Sequence, residues 1–270
     1  MSAAPLYGTV ERVERLAPRM VRIVLGGEGL FGFEPTPFTD QYVNALFVPE
    51  GATYAPPFDV EAARAEPAGQ RPLGRRYTIR SWDPAAREVA IDFVVHGDEG
   101  TAGRWANGAQ PGDRLQIVGP SGAYAPDPEA GWHLLAGDES ALPAIAAALE
   151  RIPAGRRAVA VLLVDGPDHE LALDCPGELE VRWLHRAAPF TDSSDQLVAA
   201  VADLAFPPGR VHGFVHGEAG ETRALRRHLL GDRALDTDQL SISPYWRRSY
   251  DDEAWRQVKA EWLAEVAGDV

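Results

Sequence analysis

The chain has 270 residues, 45% hydrophobic and 24% charged, which is typical of a globular protein with two domains. Its formal net charge of −14 argues against general binding to nucleic acid, which depends on neutralising phosphates. Cys175 is the single cysteine, which excludes an internal disulfide, an iron–sulfur cluster and a cysteine-based zinc site. The longest apolar run, 158–164, is too short to span a bilayer, and the N-terminus lacks signal-peptide features, so we expect a cytoplasmic protein.

The first half of the chain predicts a small antiparallel β-barrel over residues 1–127. Short apolar strands separated by Gly- and Pro-rich turns are typical of such barrels. The predicted strands are 6–16, 20–25, 42–48, 76–82, 89–96 and 114–118. The stretch 51–74 is rich in Ala, Pro and charge and indicates a long loop. One short helix is expected, at 101–107.

The second half, residues 128–270, alternates between strands and helices. Strands are predicted at 132–136, 158–164, 179–184 and 211–216, and helices at 142–151, 194–204, 222–230 and 251–266. Ser140 is a candidate N-cap and Gly231 a candidate helix stop, while Trp255 and Trp262 are expected on the core face of the last helix. This alternation predicts a parallel sheet with helices on both faces.

The segment 75–80, Arg-Arg-Tyr-Thr-Ile-Arg, carries the sharpest chemical pattern. Strand alternation places Arg75, Tyr77 and Ile79 on one face and the even-numbered residues on the other. An aromatic ring, a hydroxyl and several guanidinium groups suit a flavin dinucleotide, whose pyrophosphate pairs well with arginine. An ordinary barrel strand with exposed arginines shows the same pattern, so this segment alone leaves both interpretations open.

A predicted strand ending in a glycine-rich turn follows further along the chain. The turn after Val95 leads into the short helix at Thr101, and a helix N-terminus of small residues exposes unpaired N–H groups to an anion. An ordinary strand–turn–helix with His96 as a turn residue is the alternative. Because this turn follows the Arg/Tyr/Thr strand, phosphate binding is the better interpretation.

Together and in order, these blocks resemble the siderophore-interacting protein family, which are ferric-siderophore reductases related to the ferredoxin–NADP reductases. The similar segments are 75–80, 92–97, 100–106, 111–120, 137–144, 183–186, 215–219 and 245–248. Each segment is a weak signal, whereas the ordered set covers nearly the whole chain. The resemblance implies an FAD-binding barrel followed by a domain that binds a nicotinamide cofactor, NADPH or NADH.

The resemblance also implies where the two cofactors bind. The residues implied for FAD are Arg75, Tyr77, Thr78, Arg80, His96, Gly100, Thr101, Ala102 and Gly103, with Tyr77 and Thr78 nearest the reacting ring. Two turns are implied for the nicotinamide cofactor, the first formed by Gly137, Asp138, Glu139, Ser140 and Ala141 and the second by Gly217, Glu218 and Ala219. Both turns follow predicted strands at their carboxyl ends, where open α/β sheets bind ligands. A plain strand-to-helix turn is the alternative for the first, and Arg186 is either a contact for the 2′-phosphate of NADPH or a surface charge.

The implied substrate is Fe(III) in a siderophore-like chelate, close to Asn44, Trp246, Arg247 and Arg248. Asn44 stands where the family usually has a lysine, and Pro244 and Ser249 stand where glycines are usual, so the identity of the chelate is open. The alternative for the tail is a docked C-terminal strap with Trp246 as its hydrophobic anchor.

The expected function is electron transfer from NAD(P)H through FAD to the chelated Fe(III), since Fe(II) is the softer and more labile ion. Two alternatives stay open: a flavin reductase for another acceptor, such as a redox protein or a quinone, and a protein that binds an iron chelate without turnover. No protein metal site is predicted, because the seven histidines are scattered. We expect a monomer, with a homodimer as the alternative, no membrane span and no nucleic-acid partner.

Overall fold

The computed structural model describes residues 4–95, 100–188 and 193–269. The chain forms two compact units, Met1–Ala123 and Tyr124–Val270. The sequence places the division close by, near Asp127. Each unit has its own sheet and its own apolar core.

Unit 1 is a closed six-stranded antiparallel barrel, as the sequence predicts. Its strands are β1 (Leu6–Ala17), β2 (Met20–Gly26), β3 (Tyr42–Phe47), β4 (Leu73–Asp83), β5 (Glu88–Val94) and β6 (Arg114–Ser121). They are hydrogen-bonded in the order β1-β2-β5-β4-β3-β6, and β6 closes the barrel on β1. Inward-facing side chains such as Ile23, Val43 and Phe93 are fully buried and fill the interior.

Two helices accompany the barrel, α1 (Val60–Arg64) and α2 (Thr101–Gly108). The stretch 51–74 is therefore not a plain loop, and this expectation was wrong. Asp59 caps α1 by accepting hydrogen bonds from the N–H groups of Glu61 and Ala62. A helix of five residues shows too little periodicity to be detected from the pattern. The predicted helix α2 is present and packs Ala102 and Ala106 against the barrel core.

Unit 2 is a five-stranded parallel sheet in the order β11-β10-β7-β8-β9. The strands are β7 (Trp132–Asp138), β8 (Arg157–Val164), β9 (Glu178–His185), β10 (Val211–Glu218) and β11 (Leu240–Trp246), and the helices are α3 (Leu142–Leu149), α4 (Ser194–Ala202), α5 (Ala219–Arg226) and α6 (Asp252–Ala267). Crossovers between parallel strands are almost always right-handed, which with this strand order puts α3 on one face and α4 and α5 on the other. Leu197 of α4 and Leu225 of α5 accordingly share one apolar cluster.

Two details of unit 2 differ from the expectation. The tail residues Leu240–Trp246 form β11, an edge strand parallel to β10 that the sequence does not predict. Gly231 does not stop the helix before it. The chain continues from α5 into a wider π-helical turn, Arg227–Asp232, which contains Gly231 and closes with a bond from Arg233 N–H to His228 C=O.

The last helix, α6, packs through its tryptophans as the sequence predicts. Trp255 and Trp262 are buried with ring centroids 5.6 Å apart, and they cluster with Ala219 and Val266. Within the described ranges, no helix has the length and apolar character needed to cross a membrane.

Candidate functional site

The adjacent barrel strands β3 and β4 carry the polar residues that the sequence indicates for FAD. Their register pairs Tyr42 with Thr78, Val43 with Tyr77, and Asn44 with Arg76. Directly paired residues lie on the same face of a sheet. Val43 and Tyr77 therefore face the barrel interior, and Asn44, Arg76 and Thr78 face outward. The predicted alternation holds up to a bulge between Ile79 and Ser81.

The outward face of β3 and β4 offers unused polar groups. Asn44 Oδ1 is buried and has no hydrogen-bond partner among the described residues. The Asn44 amide lies over Gly74 so closely that a Cβ at position 74 would be 2.7 Å from its Nδ2. Arg76 is exposed, lies 5.5 Å from the centre of the Tyr42 ring and pairs with no carboxylate in the described part of the chain. This face can therefore bind a polar or anionic ligand.

Tyr77 connects β4 to α2 through a chain of aromatic contacts. Its ring centroid is 4.3 Å from that of Phe93, and Phe93 is 5.8 Å from Trp105 of α2. Tyr77 is half-buried, whereas Thr78 on the opposite face of the strand is almost fully buried. The two residues therefore lie on opposite faces of β4.

The N-terminus of α2 is an open site for an anion. Gly100 at the N-cap has a φ of 73°, and no side chain of the described residues caps the helix. A Cβ at position 100 would meet nothing within 4 Å. The first N–H groups of α2, from Thr101 to Gly103, therefore bind no capping side chain in the described part of the chain and carry the positive end of the helix dipole. This arrangement fits the pyrophosphate of FAD.

The remaining residues implied for FAD lie on β4 or outside the described ranges. Arg75 and Arg80 are half-buried, and Arg75 Nη1 donates to the carbonyl oxygen of Gly74 at 2.9 Å. His96 lies outside the described residues. The strand and the helix start both belong to unit 1, and their common role in FAD binding stays a prediction.

The carboxyl edge of the parallel sheet collects polar side chains from every strand of unit 2. Those at the strand ends, or directly after them, are Asp138 and Glu139 for β7, Asp165 for β8, Arg186 for β9, Glu218 for β10 and Trp246 for β11. Ligands of open α/β sheets bind at this edge. Both turns that the sequence implies for the nicotinamide cofactor lie here.

Asp138 holds these elements together. Its Oδ1 accepts bonds from Ser140 N–H at 2.9 Å and Ser140 Oγ at 2.5 Å. Its Oδ2 accepts bonds from Glu218 N–H at 3.0 Å and Trp246 Nε1 at 2.7 Å. Gly217 allows this approach, because a Cβ there would be 2.9 Å from Asp138 Cγ. One buried carboxylate thus ties the first turn, the second turn and the end of β11.

Ser140 is consequently not the N-cap of α3, and this expectation was wrong. The N-cap residue is Ala141, and no side chain caps the helix. The Ser140 hydroxyl is instead used by Asp138. Gly137 is required for a different reason, since a Cβ there would collide with the carbonyl oxygen of His216 on β10.

Glu218 fills the second turn with its own carboxylate. Its Oε2 accepts bonds from Gly220 N–H at 2.5 Å and Glu221 N–H at 3.2 Å, so it caps α5. Its Oε1 accepts a bond from Arg248 N–H at 3.0 Å. Side-chain carboxylates thus occupy backbone N–H groups at both turns. Because these N–H groups are already used and the carboxylates are acceptors, such turns suit ligands that donate hydrogen bonds from hydroxyl or amide groups better than they suit a phosphate.

Arg186 is completely buried, so the surface-charge alternative was wrong. Its side chain is 0% exposed, and Nη1 lies 2.5 Å from Glu139 Oε1 and 3.3 Å from Asp165 Oδ1. Burial, followed by the neighbouring Asp138, raises the pKa of Glu139 to about 7. The same two causes raise the pKa of Glu221 to about 8. Glu221 is therefore protonated near neutral pH, whereas the buried contact with the Arg186 guanidinium favours the ionised form of Glu139.

The tail residues implied for the substrate have partners within unit 2. The Arg247 guanidinium lies 4.6 Å from the centre of the Tyr250 ring and 5.8 Å from that of Trp255. Arg248 lies 6.0 Å from the Trp246 ring, and its Nη2 is 3.5 Å from Glu221 Oε1. The indole of Trp246 is anchored by the hydrogen bond from its Nε1 to Asp138 Oδ2.

Comparison with known proteins covers both units. Residues 9–124 match the family model described as the siderophore-interacting FAD-binding domain, and residues 130–249 match the siderophore-interacting protein model. An uncharacterized protein of Mycobacterium tuberculosis is 43% identical over 99% of each chain. The ferric vibriobactin reductase ViuB of Vibrio cholerae is 31% identical over 92% of this chain and 91% of its own. The NADPH-dependent ferric-chelate reductase of Escherichia coli is 32% identical over 88% and 91%.

Solved structures show the same architecture. The siderophore-interacting protein SipS from Aeromonas hydrophila matches with a TM-score of 0.81 at 30% identity, covering 97% of this chain and 98% of that chain. A ferredoxin reductase of carbazole 1,9a-dioxygenase shares the fold, with a TM-score of 0.64 at 15% identity over 90% of this chain and 70% of that chain. The chain belongs to the siderophore-interacting protein family, and its first unit is the FAD-binding domain of that family.

Proposed function

We propose that the protein is a flavin-dependent reductase that passes electrons from NAD(P)H through FAD to Fe(III) in a siderophore-like chelate and releases Fe(II). The observation that carries the proposal is the N-terminus of α2, which no described side chain caps and which shares the family's FAD-binding unit with polar strand β4. The names of two relatives, a ferric vibriobactin reductase and an NADPH-dependent ferric-chelate reductase, support the same reaction class. Because the reaction consumes NAD(P)H, we place it in the cytoplasm.

In unit 1, the N–H groups at Gly100–Gly103 bind the pyrophosphate of FAD, and Arg75 and Arg80 supply positive charge from β4. The Thr78 hydroxyl and the Tyr77 ring orient the flavin ring. When bound, FAD supplies the conversion of a two-electron hydride donor into one-electron steps. The protein contributes binding and orientation, and His96 stays a prediction for the same site.

In unit 2, the turns Gly137–Ala141 and Gly217–Ala219 receive the nicotinamide cofactor. Because Asp138 and Glu218 already occupy backbone N–H groups of these turns, we place the hydroxyl- and amide-bearing nicotinamide riboside there and the pyrophosphate elsewhere. Carboxylate oxygens accept hydrogen bonds from ribose hydroxyls and from a carboxamide. Gly137 and Gly217 keep the two turns close enough to act as one surface.

For the substrate, Asn44 in place of a lysine removes one positive charge from the outward face of β3. Arg76, the exposed neighbour that the sequence argument did not select for the site, supplies a charge on the same face. We therefore expect a chelate of low negative charge. Substrate roles for Trp246, Arg247 and Arg248 stay predictions, with Trp246 acting through its bond to Asp138.

The test is anaerobic turnover of the FAD-loaded protein with NADH or NADPH, a series of ferric chelates, and a colorimetric trap for Fe(II). We expect Fe(II) to appear in proportion to the nicotinamide oxidised, and chelates of low charge to react fastest. Thr78→Val is expected to lower turnover, while Thr101→Ser, which retains the backbone N–H, leaves it unchanged. Faster oxidation of the reduced protein by a quinone or a redox protein than by any ferric chelate would support the alternative acceptor instead.

A further inference from the structure

The half of the carboxyl edge formed by β8 and β9 has the topology of an adenosine site. The unit β7–α3–β8 is the first βαβ unit of the sheet, and β8 lies directly beside β7. In sheets of this kind the adenosine ribose lies beyond the second strand. An acidic residue near that strand end suits the 2′-hydroxyl of NADH, and an uncommitted arginine suits the 2′-phosphate of NADPH.

This half of the edge has very few cationic side chains. Residues 158–209 contain two arginines, Arg182 and Arg186, and no lysine. Arg182 lies within β9, where its Nε is 2.9 Å from Glu180 Oε1. Arg186 is buried between Glu139 and Asp165. Both arginines are therefore already paired with carboxylates.

The histidines of the same stretch are also engaged with carboxylates, and the local charge is negative. His185 Nε2 lies 2.8 Å from Glu170 Oε1. The buried His169 has its Nε2 4.0 Å from Oδ1 of the exposed Asp168. A 2′-phosphate carries close to two negative charges at neutral pH. It would meet Asp165, Asp168 and Glu170 here, and the described residues of 158–209 contain no arginine without a carboxylate partner to offset them.

Arg186 is not available to such a phosphate. To pair with one, its guanidinium would leave the carboxylates of Glu139 and Asp165 buried without their counter-charge, which is strongly unfavourable. The side chain is also 0% exposed. The two carboxylates thus fix Arg186 inside the edge and leave the adenosine side acidic.

We propose that the protein prefers NADH to NADPH, and that Glu139 and Asp165 set this preference by holding Arg186 away from the 2′-phosphate position. The inference rests on the proposed function, since it requires unit 2 to bind a nicotinamide dinucleotide. The relative from Escherichia coli is named as NADPH-dependent. The proposal thus assigns this chain a coenzyme different from the one in the name of that relative, to which it is 32% identical.

The first experiment measures kcat/KM of the FAD-loaded protein for NADH and NADPH with one ferric chelate, ferric citrate. We expect at least a tenfold advantage for NADH, expressed in KM because the 2′-phosphate lies far from the reacting ring. Calorimetry adds a readout without turnover, with 5′-AMP binding at least as tightly as 2′,5′-ADP. Equal efficiencies, or tighter binding of 2′,5′-ADP, would overturn the proposal.

A variant places a free cation at the same position. Ala187 is exposed and directly follows Arg186. Ala187→Arg is therefore expected to lower KM for NADPH at least fivefold and to leave KM for NADH unchanged. Ala187→Gln, which adds a long side chain without a charge, is the control. An unchanged NADPH/NADH ratio in Ala187→Arg would contradict the assignment to this edge. Reduction of the protein by neither coenzyme would refute the proposed function itself, whereas equal use of both would refute only the preference.

Discussion

The hydrogen bond from Trp246 to Asp138 makes a quantitative prediction about unit 2. Trp246→Phe keeps an aromatic ring at the end of β11 but removes the N–H that lies 2.7 Å from Asp138 Oδ2. Hydrogen bonds to charged groups contribute about 1.5–3 kcal/mol. Because Asp138 keeps its bonds from Ser140 and Glu218, we expect a loss in the lower half of that range, about 1.5–2 kcal/mol in the unfolding free energy.

The assay is urea unfolding followed by far-UV circular dichroism, with the transitions of the two units fitted separately. A double-mutant cycle with Asp138→Asn is expected to give a coupling energy of at least about 1 kcal/mol for Trp246→Phe. Trp255→Phe is the control, because its buried indole N–H has no partner among the described residues, and its effect adds to that of Asp138→Asn within about 0.5 kcal/mol. Additive effects of Trp246→Phe and Asp138→Asn would show that the hydrogen bond between the two side chains does not stabilise unit 2.

Two further predictions concern ionisable groups. The pKa of Glu221 is raised to about 8 from its ordinary 4.5. Between these two values the folded protein holds a proton that the unfolded chain has released. The free energy of unfolding therefore falls as pH rises from 5 to 8, by at most about 1.4 kcal/mol per pH unit. Urea unfolding across this range is expected to show a shallower fall for Glu221→Gln, and parallel curves would contradict the assignment. In unit 1, Asp92 accepts bonds from Arg22 at 2.6 and 2.8 Å and its side chain is 2% exposed, so Asp92→Asn is expected to cost about 2 kcal/mol. Glu61→Gln is the control, because Glu61 pairs with Arg64 on the exposed surface, and it is expected to lower the free energy of unfolding by less than about 0.5 kcal/mol. Equal losses for the two substitutions would contradict the larger contribution expected for the buried pair.

The strands and helices of both units were largely predictable, because alternating apolar residues and strand–helix alternation are local patterns. Strand β11 was not, since it contains Pro244 and polar residues and lies at the edge of the sheet, where β10 is its neighbouring strand. The burial of Arg186 was not predictable either. Its counter-charges, Glu139 and Asp165, lie 47 and 21 residues away in sequence and meet it only through the sheet order.

A glycine-rich motif near the start of the chain shows why spacing alone does not identify a cofactor site. The spacing Gly27-x-Gly29-x-x-Gly32 matches a dinucleotide fingerprint, but it follows barrel strand β2 and contains only a one-turn 3-10 helix, Glu28–Leu30. A Cβ at Gly29 would collide with the carbonyl oxygen of Tyr7 on β1. At least this glycine is therefore explained by close packing within the barrel and not by a phosphate.

In the proposed reaction, unit 1 holds FAD, and electrons from a nicotinamide cofactor pass through this FAD to chelated Fe(III). The most direct measurement is the visible absorbance of the FAD-loaded protein, followed anaerobically as NADH and then ferric citrate are added. We expect that the oxidised-flavin absorbance is present, bleaches with NADH and returns with the ferric chelate while Fe(II) forms. A protein that binds no FAD, or whose flavin absorbance does not respond to NADH and NADPH, would contradict it.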